Sequence, residues 1–179
     1  AAPNIKHKTE RDGVVLNLTS EEELREAYLA LSERLGKAAI VSPMVSSYGV
    51  EMILGMMNDS QFGPFVIVGF GGIYAEALNE TRVLYPPFDG DTVARALDQL
   101  SMRTLLADFR GKPALDIQCY CETAARFSVF VAEFSCLIGE IDINPVLITE
   151  HGCVGLDALI VPKNITSVKD SSGGTSQYG

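Results

Sequence analysis

The sequence predicts an α+β fold, which three observations support. Apolar runs of strand length follow one another in the first half of the chain, two later segments combine helical spacing with a capping residue, and the last two apolar runs flank a tight turn. This order is not a regular βαβ series. Hydrophobic residues make up 47% of the 179 residues, which is enough for a sizeable core in one domain or in two packed lobes.

The first patterned segment predicts a strand followed by a helix. The run from Val14 to Leu18 alternates as a strand does. Ser20, with Glu23 three residues later, forms a capping box, and the helix continues to Leu35. Its apolar face comprises Leu24, Ala27, Tyr28, Leu31 and Leu35, and Gly36 ends it.

The middle of the chain predicts an antiparallel sheet. Its strand-like runs are AAIVSPMV (38–45), VEMILGMMND (50–59) and PFVIVGF (64–70), followed by IYAEAL (73–78) and RVLYPPF (82–88). A turn at 69–72 separates two of these runs, because its three glycines favour a change of direction.

Two helices and a strand pair follow. Asp91 caps a helix from Thr92 to about Leu100, and Asp116 caps a long helix over 117–134. The strand pair consists of residues 140–149 and 153–161. From residue 163 the composition becomes rich in serine and glycine, which predicts a flexible tail or linker over 163–179.

Charge and composition exclude several classes of partner. The net charge is -9 and the pI about 4.7, which argues against nucleic acid, since phosphate backbones need clustered Lys and Arg. No apolar run approaches the roughly 20 residues of a membrane span. The four cysteines include no CxxC pair, so we predict neither a zinc site nor a disulfide framework, but reduced thiols in a cytoplasmic protein.

The stretch EIDINP predicts a polar site on a strand. Residues two apart share a face of a strand, so Glu140, Asp142 and Asn144 point one way while Ile141 and Ile143 point into the core. Carboxylate and amide oxygens are the ligands that Mg²⁺ prefers. The alternative is a half-exposed edge strand whose acids face water.

The position of Asp157 depends on the turn. A two-residue loop at 151–152 pairs Val146 with Asp157, so that Asp157 shares the face of Asn144 at a diagonal Cβ separation of about 7 Å. One Mg²⁺ ion bonded at about 2.1 Å to each side-chain oxygen spans that gap. A three-residue loop would move Asp157 to the opposite face.

Two further features suggest phosphate chemistry, each with a simpler alternative. Gly69, Gly71 and Gly72 could expose backbone amides that phosphates can approach, but from the spacing alone a tight hairpin or bulge is the better explanation. His7 stands between Lys6 and Lys8, where it could accept a phosphoryl group or donate a hydrogen bond to one, or be a solvated terminal histidine.

These features occur in a recognisable order. HKTERDGVVLNL, SPMVSSYGVEMILGMMNDSQFGPFVIVGFGGIYAE, FRGKPALD and GEIDINPVLITEHGCVGLDALIV resemble the ATP-grasp part of the NDP-forming acyl-CoA synthetases. These are ADP-forming acetate:CoA ligases and relatives of succinyl-CoA synthetase. The resemblance covers about residues 3–161 and implies an ATP-grasp-like mixed or antiparallel sheet with packed helices.

The resemblance also implies a reaction and its cofactors. The family converts acyl-CoA, ADP and phosphate reversibly into acid, ATP and CoA. The cofactors are ATP or ADP with Mg²⁺. By resemblance the catalytic residues are His7, which carries the phosphoryl group, and Asp142, which contacts that histidine; the metal ligands are Asn144 and Asp157; and the cofactor-binding residues are Gly71, Gly72, Arg110 and Glu140.

Some residues depart from the family pattern. Glu10 stands for an aspartate, Leu84 occupies the place of an arginine with Arg82 two residues earlier, and Asp108 replaces a common glycine. The family's ATP-binding lysine precedes the matched region, so residues 1–162 are expected to form a partial ATP-grasp domain without its N-terminal third. We therefore expect the isolated chain to bind ATP weakly and to be inactive.

The expected partner is a CoA-binding subunit or domain of the same enzyme, in an oligomer and with no role for nucleic acid or membrane. The alternative is a regulatory ATP-grasp-like module fused to a protein lysine acetyltransferase, a fusion that one branch of the family contains.

Overall fold

The computed structural model describes residues 13–45, 48–71, 80–106 and 114–163. The chain divides into two compact units, Ala1–Ser47 and Tyr48–Gly179. The predicted tail lies outside the described residues apart from Lys163. None of the helices in the described ranges is long and apolar enough to cross a membrane.

The first unit contains helix α1, Glu21–Leu35. The Ser20 hydroxyl accepts a hydrogen bond from the Glu23 amide at 3.2 Å, and the Glu23 carboxylate accepts one from the Thr19 amide at 2.6 Å. The first bond is the one that a capping box predicts, and the second comes from the residue before the N-cap instead of from Ser20 itself. The helix ends at Gly36, whose φ of 97° suits glycine.

The strands predicted at 14–18 and 38–45 are wrong. Neither segment forms a strand, and both belong to the described residues. Asn17 has a φ of 58°, which interrupts any extended run. Val15, Leu16 and Val41 are exposed. Alternation indicates a strand only where a neighbouring strand supplies hydrogen bonds, and the pattern cannot reveal that neighbour.

The second unit is built on a six-stranded sheet whose neighbours all run antiparallel. Its strands are β1 (Val50–Asp59), β2 (Gly63–Phe70), β3 (Thr81–Leu84), β4 (Ile138–Thr149), β5 (Gly152–Gly155) and β6 (Ala158–Pro162). The order across the sheet is β3-β2-β1-β4-β5, and β6 also pairs with β4. Strands β5 and β6 thus share one edge of β4.

Two helices and a 3₁₀ segment connect β3 to β4: α2 (Gly90–Leu97), the 3₁₀ helix (Ser101–Leu105) and α3 (Ile117–Phe134). Helix α3 has the predicted bounds, and the Asp116 carboxylate accepts a hydrogen bond from the Cys119 amide at 3.0 Å. Helix α2 begins earlier than predicted, because Asp89 rather than Asp91 caps it through the Thr92 amide at 2.8 Å.

One face of the sheet packs against α2 and α3 and forms the core. Alternate strand residues point to it, as the period of two requires. They include Met52, Leu54, Met56, Val66, Val68, Phe70, Ile141 and Ile148, which meet Val93, Leu97, Tyr120, Ala124 and Val131 of the helices. The α+β prediction is confirmed, and the residues between these core positions point to the face of the sheet opposite to α2 and α3.

A buried hydrogen bond fastens helix α3 to the sheet. Tyr120 is fully buried, and its hydroxyl donates to the Ile53 carbonyl at 2.6 Å. Tyr120→Phe leaves that carbonyl without its donor, so the free energy of unfolding should fall by about 1–2 kcal/mol. Chemical denaturation measures the change. Tyr85→Phe is the matched control, because Tyr85 is 66% exposed; equal stability of the two variants would contradict the role of the hydroxyl.

Candidate functional site

The turn between β4 and β5 sets the position of Asp157. It consists of residues 150–151, whereas the sequence predicted a turn at 151–152. Val146 therefore pairs with Gly155 and not with Asp157. The register prediction is wrong by two residues, a shift that by itself does not move Asp157 to the other face. Val146 and Ile148 do leave their predicted face and lie in the core, because the pairing of β4 with β1 shifts register at residues 144–145.

Asn144 and Asp157 lie directly opposite each other. Strand β5 ends before Leu156 and β6 begins after Asp157, so the pair stands in the gap between the two ladders. The backbone amide of Asn144 donates to the Asp157 carbonyl at 3.2 Å, and the backbone amide of Leu156 donates to the Pro145 carbonyl at 2.9 Å. Backbone hydrogen bonds thus hold the two predicted metal ligands as a direct pair rather than a diagonal one.

A β-bulge interrupts the pairing of β4 with β1 at the same position. Asn144 and Pro145 together stand opposite the single residue Ile53, because the register shifts between Met52 and Leu54. A bulge re-aims the side chains at its position. Here it accompanies a close approach between the Asn144 side chain and the chain segment that follows β2.

That segment is Gly71, which is buried and whose amide donates to the Glu51 carbonyl at 2.9 Å. A Cβ atom added at Gly71 would lie 2.9 Å from the Met52 carbonyl and 3.2 Å from the Asn144 Oδ1 atom. No side chain fits there without displacing backbone. Glycine at this position therefore allows the side-chain amide of Asn144 to lie next to the end of β2.

Asp142 lies two residues before Asn144 on β4, opposite Gly55 of β1 and Leu159 of β6. Its Oδ1 atom is buried and has no hydrogen-bond partner within the described part of the chain. Burial raises the pKa of this carboxyl, and the charges of Glu140 and Asp157 raise it further. A buried carboxylate oxygen without a donor is costly, and such atoms call for an explanation, often catalytic or an unseen ion.

Gly55 was not singled out from the sequence, although an isolated glycine inside a strand pattern signals close approach. With no side chain at this position, a groove of about 190 Å³ opens in front of Asp142. Residues that line it include Ile53, Gly55, Met57, Ile67, Glu140 and Asp142. A second cavity, of about 370 Å³ beside α2, contains none of the predicted site residues.

The donor set fits a magnesium ion better than zinc. No group of three or more His, Cys, Asp or Glu side chains in the described ranges is arranged to hold a metal ion. An Asn144–Asp157 pair supplies one amide oxygen and one carboxylate. Mg²⁺ binds through few protein oxygens and takes its remaining ligands from water and phosphate, so a sparse pair is compatible with it. The roles of both residues stay predictions.

Three of the predicted site residues, His7, Gly72 and Arg110, lie outside the described residues. The structure brings together Gly71, Asn144 and Asp157, and places Asp142 within electrostatic reach of Asp157. Glu140 is exposed, opposite Met57 and Val161, and raises the pKa of Asp142.

Known proteins are similar to this chain in sequence and in fold. The chain is 34% identical over 169 residues to a trans-feruloyl-CoA synthase from an unknown prokaryotic organism, covering 89% of this chain and 24% of that protein. It is 29% identical to the beta subunit of acetate–CoA ligase (ADP-forming) I of Pyrococcus furiosus, covering 89% of this chain and 72% of that subunit. The chain thus spans about a quarter of the first relative's length.

A solved structure of a related enzyme is also similar to this chain. Acetyl-coenzyme A synthetase 1 of Ca. Korarchaeum cryptofilum, in complex with coenzyme A and Mg-AMPPCP, superposes with a TM-score of 0.79 at 31% identity, covering 91% of this chain and 74% of that one. The family model described as an ATP-grasp domain matches residues 1–161. The chain therefore belongs to the ATP-grasp domain family, and the relatives named here are CoA ligases and CoA synthetases.

Proposed function

We propose that this chain is the nucleotide-binding part of an ADP-forming acyl-CoA synthetase. The complete reaction converts acyl-CoA, ADP and phosphate into acid, ATP and CoA, and is reversible. The observation that carries the proposal is the backbone-held Asn144–Asp157 pair, which lies beside Gly71 and near the unpartnered Asp142 oxygen. Support comes from the ligase and synthetase relatives and from the Mg-AMPPCP bound in the Korarchaeum enzyme.

Asn144 and Asp157 would hold the Mg²⁺ that accompanies ATP or ADP. When bound, the ion offsets the charge of the phosphates and helps to fix their positions. Gly71 allows the end of β2 to lie close to the Asn144 side chain, and Gly72, Arg110 and Glu140 complete the proposed nucleotide-binding set. The catalytic contribution of these residues is positioning and electrostatic stabilisation.

His7 would relay the phosphoryl group. The CoA-binding part forms acyl phosphate and releases CoA; a nitrogen of His7 then takes the phosphoryl group, and the acid leaves. An oxygen of the terminal phosphate of ADP next attacks the phosphohistidine, which gives ATP and restores His7. Asp142 would contact the imidazole, fixing the ring orientation and tautomer. In support, the Korarchaeum enzyme has a phosphohistidine segment that points towards its nucleotide-binding site.

The proposed partner is a CoA-binding subunit or domain. A Pyrococcus relative is a beta subunit, and the feruloyl-CoA synthase is much longer than the matched region. The acyl group would bind in that partner. The alternative of a regulatory module in a protein acetyltransferase finds no support among the relatives named above.

Removing either proposed metal ligand should abolish Mg²⁺-dependent ADP phosphorylation. In the complete enzyme, Asn144→Ala and Asp157→Ala should each lower the rate by about 100-fold or more, since charge stabilisation by a metal ion is worth several kcal/mol. A coupled ATP-formation assay at several Mg²⁺ concentrations measures the loss. Glu150→Gln, in the exposed turn at the other end of the β4–β5 ladder, is the control and should keep full activity. Full activity in both alanine variants would refute the assignment.

Asp142→Asn should lower activity but raise stability at neutral pH. The folded-state pKa of Asp142 is raised, so the folded chain binds more protons than the unfolded chain from the ordinary pKa of 3.8 up to the raised value. Stability contributed by this group therefore falls as pH rises through that window. Urea unfolding from pH 3 to 7 should show an advantage of the variant at neutral pH that fades towards pH 3.8.

The matched variant for this measurement is Glu140→Gln, which keeps Asp142 but removes a neighbouring charge that raises its pKa. It should give a smaller stability gain. Activity of the Asp142→Asn enzyme should fall by about 10–100-fold, as expected for loss of a partner that orients a histidine. Unchanged activity together with unchanged stability would argue against any special environment for Asp142.

His7→Ala should block ATP formation while acyl-phosphate formation by the CoA-binding part continues. The reason is that only the transfer to ADP requires the relay residue. Trapping acyl phosphate with hydroxylamine follows the first step, and mass spectrometry under alkaline conditions detects phosphohistidine at position 7 during turnover. Absence of that modification from an actively turning-over wild-type enzyme would count against the relay.

A further inference from the structure

Two thiols from different elements meet away from the proposed site. The Sγ atoms of Cys119, in the first turn of α3, and Cys153, in β5, are 3.5 Å apart although the residues are 34 positions apart in sequence. Both are half-buried. The Thr123 hydroxyl lies 3.5 Å from the Cys153 sulfur. Neither cysteine takes part in the proposed nucleotide chemistry.

The surrounding backbone fixes both positions. The Asp116 amide donates to the Thr149 carbonyl at 2.8 Å, which joins the start of α3 to the end of β4. Cys119 follows within one helical turn of this bond, and Cys153 pairs with Ile148 in the β4–β5 ladder. Hydrogen-bonded backbone therefore holds each cysteine in place, and the contact between the two sulfur atoms does not depend on long, flexible side chains.

A disulfide requires the two sulfurs to approach further. A Cβ added at Gly152 would lie 3.7 Å from the Cys119 sulfur, so glycine leaves room beside it. A disulfide has an S–S distance of about 2.05 Å, so closure requires an approach of roughly 1.5 Å, within reach of side-chain rotation and small backbone shifts.

We propose that Cys119 and Cys153 form a reversible dithiol–disulfide site whose oxidant is a small-molecule disulfide such as oxidised glutathione. The thiolate of one cysteine attacks the oxidant, forms a mixed disulfide and releases one glutathione thiol. The thiolate of the other cysteine then attacks the protein sulfur of that mixed disulfide and releases the second. In total, two protein thiols are oxidised to one disulfide, and one oxidised glutathione is reduced to two thiols.

The other two cysteines, Cys121 and Cys136, are placed differently from this pair. Cys121 follows Cys119 by two positions on α3 and so points to a different side of the helix. Burial raises the pKa of Cys121 to about 11 and also raises the pKa of Cys153, so Cys121 differs from the pair in its position and not in the direction of its pKa shift. Cys136 is exposed and follows the opposite end of α3. All four cysteines lie in the described ranges, and the sulfur contact found there joins Cys119 to Cys153.

Peptide mapping of the complete protein tests the proposal. The reduced protein is incubated with a large excess of oxidised glutathione, its remaining thiols are alkylated, and it is cleaved after glutamate. Glu140 and Glu150 lie between Cys136 and Cys153, so this cleavage separates those cysteines. We expect most of the protein to carry a link between the peptide with Cys153 and the peptide 81–122, with a mass lower by two hydrogens and reversed by dithiothreitol. Cys119 and Cys121 share that second peptide, so fragmentation and the variants below decide between them.

Four serine variants assign the link. Cys119→Ser and Cys153→Ser should each abolish it and leave a glutathione adduct on the remaining partner, whereas Cys121→Ser and Cys136→Ser should retain it. The proposal is overturned if wild-type protein carries glutathione on Cys119 or Cys153 without a link, stays unmodified at both, or links through Cys121. Because the readout is a covalent bond, it is independent of whether the nucleotide-site proposal holds.

Discussion

The hydrogen bond from the Asn144 amide to the Asp157 carbonyl is the constraint on which the candidate site depends. It bridges the gap between β5 and β6, so two separate ladders act as one edge on β4. On the other side of β4, a bulge against Ile53 directs the asparagine towards the end of β2. A site assembled on strands in this way is held more precisely than one carried by loops.

The helix capped by Asp116 and the strands over 50–59 and 64–70 could be predicted because their signals are local. The capping residue and the apolar repeat of each element can both be recognised from a few neighbouring residues. The runs at 14–18 and 38–45 carry equally good strand composition, and they fail because no neighbouring strand pairs with them. Pairing is a property of the sheet, which a local pattern does not encode.

The sequence predicts which face of the sheet the site residues share, but not which residues pair across the strands. Alternation alone places Asp142 and Glu140 together on the side of the sheet opposite to the core. The location of the turn was wrong, and the bulge at Asn144 was invisible, because both depend on pairing with β1 and β5. The space in front of Asp142 also escaped prediction, since it arises from a glycine on the adjacent strand.

The two-residue turn at 150–151 has a consequence for how this hairpin can vary in length. Each residue gained or lost between the two strands reverses which side of the ribbon Asp157 occupies, while a change of two restores it at a displaced position. An insertion of one or three residues in this turn would therefore place Asp157 and Asn144 on opposite faces of the ribbon. Tolerated length changes in such a domain should therefore fall elsewhere, in connections that do not count strand residues.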